Sequence, residues 1–242
     1  QRLKQELEER FSCSVETLIT DFSYLDQVRQ CAKTLLEMER PIDVLIHNAG
    51  VYHTKKTFSP DGIEMVFQVN HLSSFLLTYL LKEKLISENR ARILFVNSEG
   101  HRFALGGVHL KDLDWRWHVY TGLKSYGAAK TAQLLCMHQF NHIFANSKVR
   151  INAMHPGNVT SDIGSNNGKL YRWFKKTFVL SAARDPLISA QAIYYLTASP
   201  EMKEVSGRFF NLTSEEKPAP HARDLSQVKR IWKKSLALCN LE

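Results

Sequence analysis

Four apolar runs in this chain each stop on polar or glycine residues, and each is followed by a stretch long enough for a helix. VETLITD (15–21) delivers Asp21, DVLIHNAG (43–50) delivers Asn48-Ala49-Gly50, and ARILFVNS (91–98) delivers Ser98. KVRINAMHPG (148–157) delivers Pro156-Gly157, continued by Asn158-Val159. Near-continuous apolar runs of this length read as strands buried on both faces. The intervening patterns read as helices over 1–10, 24–38, 61–88 (opened by Asp61), 125–145, 186–198 and 223–238. GRFFNL (207–212) reads as a further strand, and 100–122 as irregular. Strands separated by helices of ten or more residues build βαβ units around a parallel sheet covered on both faces. A chain of 242 residues suits one α/β domain of that kind. No linker divides it, so 1–242 is expected to fold as a unit.

Composition excludes several classes. Hydrophobic residues make up 44% and charged residues 23%, the balance of a globular protein. No run approaches eighteen apolar residues, so no membrane-spanning helix is expected. The opening QRLKQELEER is charged and lacks an apolar core, so a signal peptide is not expected either. The location these features suit is intracellular: cytoplasm or the cytosolic face of a membrane. The net charge of +8 fits nucleic acid, an anionic membrane or a phosphate-bearing cofactor. No zinc-finger, helix-turn-helix or RNP signature appears, so no nucleic-acid partner is expected. The four cysteines form no Cys-x-x-Cys and read as reduced thiols, not as a metal or disulfide framework.

In open α/β sheets, ligands bind beyond the carboxyl ends of the strands. One polar strand end is ordinary turn chemistry; four in register are hard to explain that way. SYGAAKTAQLL (125–135) adds Tyr126 and Lys130, which share a helix face at this spacing. An ammonium beside a phenol favours phenolate and makes tyrosine a usable acid or base near neutral pH. A serine hydroxyl at a neighbouring strand end would hydrogen-bond a reacting oxygen. Taken alone, Tyr-x-x-x-Lys reads more readily as an exposed helical pair. Asp21 is equally a helix cap, Asn70 a backbone-satisfied helix residue and Asn48 a strand terminator. His101 and His155 read as structural.

The ordered set Asn48-Ala49-Gly50, Asn70, Ser98, Tyr126-x-x-x-Lys130 and Pro156-Gly157 resembles the short-chain dehydrogenase/reductase family over nearly the whole chain. FQVNHLSSFLLTYLL (67–81), VNSEGHRF (96–103) and MHPGNV (154–159) look most like the branch with the retinol dehydrogenases and the WW-domain oxidoreductase. The resemblance implies a Rossmann-like, doubly wound parallel sheet. It implies Tyr126 as proton donor and acceptor, Lys130 as its pKa modifier and holder of the nicotinamide ribose, and Ser98 as orienter of the substrate oxygen. Asn70 would support a water linking Lys130 to solvent. Asn48, Ala49, Gly50, Pro156, Gly157, Val159 and Ser161 would line NAD(H) or NADP(H), with Asp21 at the adenine. The hydride passes directly between nicotinamide and substrate, so no metal is required. Asn97 departs from the family pattern, standing where a first serine is common.

The first glycine of the chain is Gly50, so the glycine-rich pyrophosphate turn is not among these 242 residues. The fold expected is therefore the family sheet lacking its first β-α-β unit. After Val159, residues 163–182 would form a substrate lid. IGSNNGKLYRWFKKTFVL (163–180) mixes large apolar side chains with lysine and arginine. That suits a lipophilic alcohol or carbonyl, such as a retinoid, steroid or lipid aldehyde, and peripheral contact with an anionic membrane. Ordinary helix packing explains it equally. Relatives often dimerise through the tyrosine helix, so a homodimer is one expectation. The alternative to an enzyme is a catalytically impaired scaffold or interaction protein, which the missing glycine turn favours, whereas intact Ser98, Tyr126 and Lys130 favour the enzyme. A fragment or truncated isoform of a complete enzyme is the explanation of the missing turn that the intact catalytic positions support.

Overall fold

A computed structural model describes residues 2–157 and 185–241. In chain order the elements are α1 (Arg2–Phe11), α2 (Leu25–Glu37), β1 (Val44–His47), α3 (Met65–Phe67), α4 (Ser73–Glu88) and β2 (Arg92–Val96). Then come α5 (Gly122–Ile143), β3 (Arg150–His155), α6 (Pro186–Ala198), β4 (Phe209–Asn211), β5 (Ser214–Glu215) and α7 (Leu225–Leu238). The sheet runs β1-β2-β3-β4-β5. β1 to β4 are parallel, and β5 returns antiparallel on β4. The register pairs Phe95 of β2 with His47 on one side and Ala153 on the other.

Alternation along the strands divides the core. Ile93 and Phe95 of β2, Ile151 and Ala153 of β3 and Phe209 of β4 face one way, into a cluster with α2, α4, α5 and α7. Leu94, Val96, Met154 and Phe210 face the other way, against Ala192 and Leu196 of α6. Helices thus cover both faces of β2 and β3, whose sequences are near-continuous apolar runs. β1 departs from the expected burial on both faces, since Val44 and Ile46 are each 41% exposed. Each fully buried Leu or Phe contributes on the order of 2 kcal/mol relative to exposure.

Two expectations fail. VETLITD forms no strand: residues 12–20 have no regular structure, and Ile19 is 97% exposed. β-branched residues favour a strand only where a ladder receives them. Among the described residues β1 pairs with β2 alone, and nothing pairs with 15–21. The helix expected over 61–88 starts late and is interrupted. Glu64 caps it by accepting the amides of Val66 and Phe67. Asp61 instead accepts from Leu25 N at 2.8 Å and from Gln68 Nε2 at 2.6 Å. A π-helical turn over Gln68–Leu72 separates α3 from α4 and carries Asn70.

Candidate active site

The carboxyl ends of β1, β2 and β3 lie side by side, and α5 crosses beside them. Thr121 caps α5 by accepting from Lys124 N. Two glycines then let the helix approach the turn Glu99–Phe103 after β2. A Cβ on Gly127 would lie 2.8 Å from Gly100 O and 2.9 Å from Ala104 N. A Cβ on Gly100 would lie 2.6 Å from two ring carbons of Tyr126. The Tyr126 ring therefore lies directly against the Gly100 backbone. Ser98 Oγ meets the same glycine, accepting its amide at 3.0 Å. Tyr126 is half-buried and meets the edge of Tyr52, which lies in the loop after β1, at 5.7 Å.

Lys130 is 3% exposed. Its Nζ donates to Val96 O at 2.8 Å and lies 5.8 Å from the Tyr126 ring centroid. Burial pulls its pKa down from 10.5 to about 8, because the charged form has lost its water. The arrangement therefore brings a half-buried tyrosine ring near a serine hydroxyl and a buried amine whose pKa is lowered to about 8. Such a group can pass a proton to or from a substrate oxygen.

A buried amide network locks these parts together. Asn97 Nδ2 donates to Lys130 O at 3.0 Å and to Gln133 Oε1 at 2.9 Å, while its Oδ1 accepts the Ser98 amide at 2.8 Å. Gln133 Nε2 donates to Asn70 O at 3.0 Å. The Asn70 side chain holds the loop after β1, accepting Val51 N at 2.7 Å and donating to Val51 O at 2.8 Å. So Asn70 joins the site through the Gly50–Val51 backbone and through Gln133. His101 accepts the Ala219 amide on Nε2 at 3.0 Å, so its Nδ1 proton donates to Ser98 O at 2.7 Å. It fixes the strand end, a structural role as expected.

The remaining expected residues divide. Asn48 and Ala49 are exposed and Gly50 half-buried on the loop after β1. Pro156 and Gly157 follow β3, whose Met154 O accepts the Asn97 amide, so that turn adjoins the Ser98 strand end. Asp21 lies outside the sheet. Its carboxylate accepts the amide and hydroxyl of Ser23, closing a turn before α2. Val159, Ser161 and the 163–182 lid fall outside the described residues. Sequence reasoning missed Gln133 and the capping carboxylate of Glu64. Gln133 carried a signal: it is a lone amide three residues beyond Lys130 on an otherwise apolar helical stretch.

The family model for short chain dehydrogenases matches residues 1–108. Human retinol dehydrogenase 13 is 33% identical over 226 residues, covering 92% of this chain and 68% of that protein. The human WW domain-containing oxidoreductase is 29% identical over 93% of this chain and 56% of its own length. Among solved structures, a blue fluorescent protein from a metagenomic library, in complex with NADPH, superposes with a TM-score of 0.65. It is 20% identical, covering 87% of this chain and 78% of that one. The family model and the retinol dehydrogenase relative make the chain an oxidoreductase. The chain belongs to the short-chain dehydrogenase/reductase family, on its retinol dehydrogenase branch. The sequence-based resemblance therefore holds.

Proposed function

We propose that this chain interconverts a lipophilic alcohol and its carbonyl, a retinoid, steroid or lipid aldehyde, with Tyr126 as the acid and base. The observation that carries the reading is the Tyr126 ring pressed on Gly100 beside Ser98 Oγ, with buried Lys130 behind it. A nicotinamide cofactor, when bound, supplies or accepts the hydride. The residues present suit its nicotinamide-ribose half. An ammonium has three N–H donors, and among the described residues Lys130 gives one to Val96 O, so that two remain for ribose hydroxyls or water. Asn48, Ala49, Gly50, Pro156 and Gly157 offer backbone along the same edge, while the pyrophosphate turn has no counterpart among residues 1–50.

In the reducing direction Ser98 Oγ hydrogen-bonds the substrate oxygen and Tyr126 donates its phenolic proton to that oxygen. The resulting phenolate is stabilised by the Lys130 ammonium, which can pass on a proton because its pKa lies near 8. Oxidation runs the same proton path backwards. The retinol dehydrogenase relative supports a lipophilic substrate, as does the apolar and basic composition of 163–180. Steady-state rates with retinal, a steroid ketone and a short sugar aldehyde test the class, with Tyr126→Phe as control. Retinal or the steroid should be preferred, and Tyr126→Phe should lose about 10²–10⁴ in rate. Preference for the sugar, or an active Tyr126→Phe, would sink the reading.

A further inference from the structure

A second group of chemistry-bearing side chains lies just past the strand ends, and the proton path does not use it. Glu99 opens the turn after β2, His155 ends β3, and Glu216 follows β5. One ligand atom from each lies within 4.8 Å of the others, among the described residues. His155 is only 6% exposed. Among the described residues its Nε2 and the Oε1 of Glu99 are buried without a well-formed hydrogen bond, although the Asn211 side chain lies near enough to His155 to act on its titration. The two atoms face each other at 3.4 Å, long for a hydrogen bond. On a tetrahedral ion with bonds of about 2.0–2.2 Å, neighbouring ligand atoms stand roughly 3.3–3.6 Å apart.

Arg102 accounts for the other oxygens. Its Nε donates to Glu99 Oε2 at 2.5 Å and its Nη2 to Glu216 Oε1. One guanidinium against two carboxylates leaves a net negative charge, and each carboxylate has a second oxygen for an ion. We propose that Glu99, His155 and Glu216 form a binding site for a divalent transition-metal ion of the zinc type. A ring nitrogen with two carboxylates suits zinc better than magnesium or calcium, which take oxygen ligands. Three protein ligands leave a fourth position for water. Arg102 then orients the carboxylates from the second layer.

Binding carries a structural consequence. His155 Nδ1 accepts the Gly157 amide at 3.1 Å. A metal on Nε2 requires the proton on Nδ1, so that contact must open. Loading should therefore move the Gly157 amide resonance and speed its hydrogen exchange.

The test is a calorimetric titration of zinc into the folded chain carrying Cys13→Ser, which removes an exposed thiol. The parent should bind one equivalent, with the thermal midpoint rising roughly 5–10 °C at a hundredfold excess over the dissociation constant. Glu216→Gln and His155→Gln should each weaken binding at least tenfold, and the exposed control His142→Gln should not. Glu216→Gln is a conservative change at a half-buried loop position, so circular dichroism should show an intact fold. X-ray absorption at the zinc edge should show nitrogen and oxygen donors without sulfur. Absence of a saturable equivalent, or unchanged binding in both ligand variants, overturns the site and leaves only an Arg102-centred ion-pair network.

Discussion

Lys130→Met should change how the stability of this protein depends on pH. In the unfolded chain this lysine titrates near 10.5, and in the fold burial brings it to about 8. Below pH 8 both states hold the proton, and the fold carries the full cost of a buried cation. Between 8 and 10.5 the folded state releases its proton first. The unfolded state then binds more protons, so stability rises with pH across that window. At 1.36 kcal/mol per pH unit, the 2.5-unit gap amounts to about 3 kcal/mol. The assay is urea unfolding of wild type and Lys130→Met at pH 7.5, 9 and 10.5. Burial raises the pKa values of Cys136 and Cys239, and these thiols pull stability the other way above pH 9. They are present in both proteins and cancel in the difference. Wild type should gain about 3 kcal/mol on Lys130→Met from pH 7.5 to 10.5. A difference flat to within about 0.5 kcal/mol would refute the claim that burial prepares this amine for proton exchange.

Two further perturbations probe the parts that hold Tyr126 in place. In Gly100→Ala the new methyl starts 2.6 Å from the Tyr126 ring, and ordinary contact begins at 3.4 Å, so the ring must retreat about 0.8 Å (3.4 − 2.6). Displacement on that scale should cost about 10² in kcat and about 1–3 kcal/mol in stability; unchanged kcat would mean that the ring position does not matter. Gln133→Leu leaves Asn97 Nδ2 without one acceptor and the Asn70 carbonyl without its donor. Thermal or urea unfolding should show a loss of about 1–3 kcal/mol, and a neutral result would remove the amide network from the account.

The sheet was legible because its parallel strands write themselves as apolar runs, with β2 and β3 buried on both faces and β1 on one. The runs at 43–50, 91–98 and 148–157 contain β1, β2 and β3 within a few residues. The helix expected over 186–198 matches α6 residue for residue. VETLITD misled because strand propensity describes a surface that a ladder can accept, and no described strand pairs with it. The π-helical turn at Asn70 was invisible, since its cause is tertiary: Asn70 bonds the loop after β1 and Gln133 takes its carbonyl. Ser98, Tyr126 and Lys130 were readable as a candidate set from their places at strand end and helix face, and the structure brings them together. The glycines that seat them were not, because Gly100 and Gly127 matter through each other's company across the interface. Asp21 was readable only as an ambiguity, and the turn it closes before α2 is what the structure shows.

The central claim is that these strand ends and Lys130 form a nicotinamide site, and a fluorescence titration of NADPH, then NADH, against the folded chain tests it most directly. Saturable binding, weakened in Lys130→Ala, is the predicted result. A folded chain that binds neither nucleotide, or binds equally well without Lys130, contradicts it.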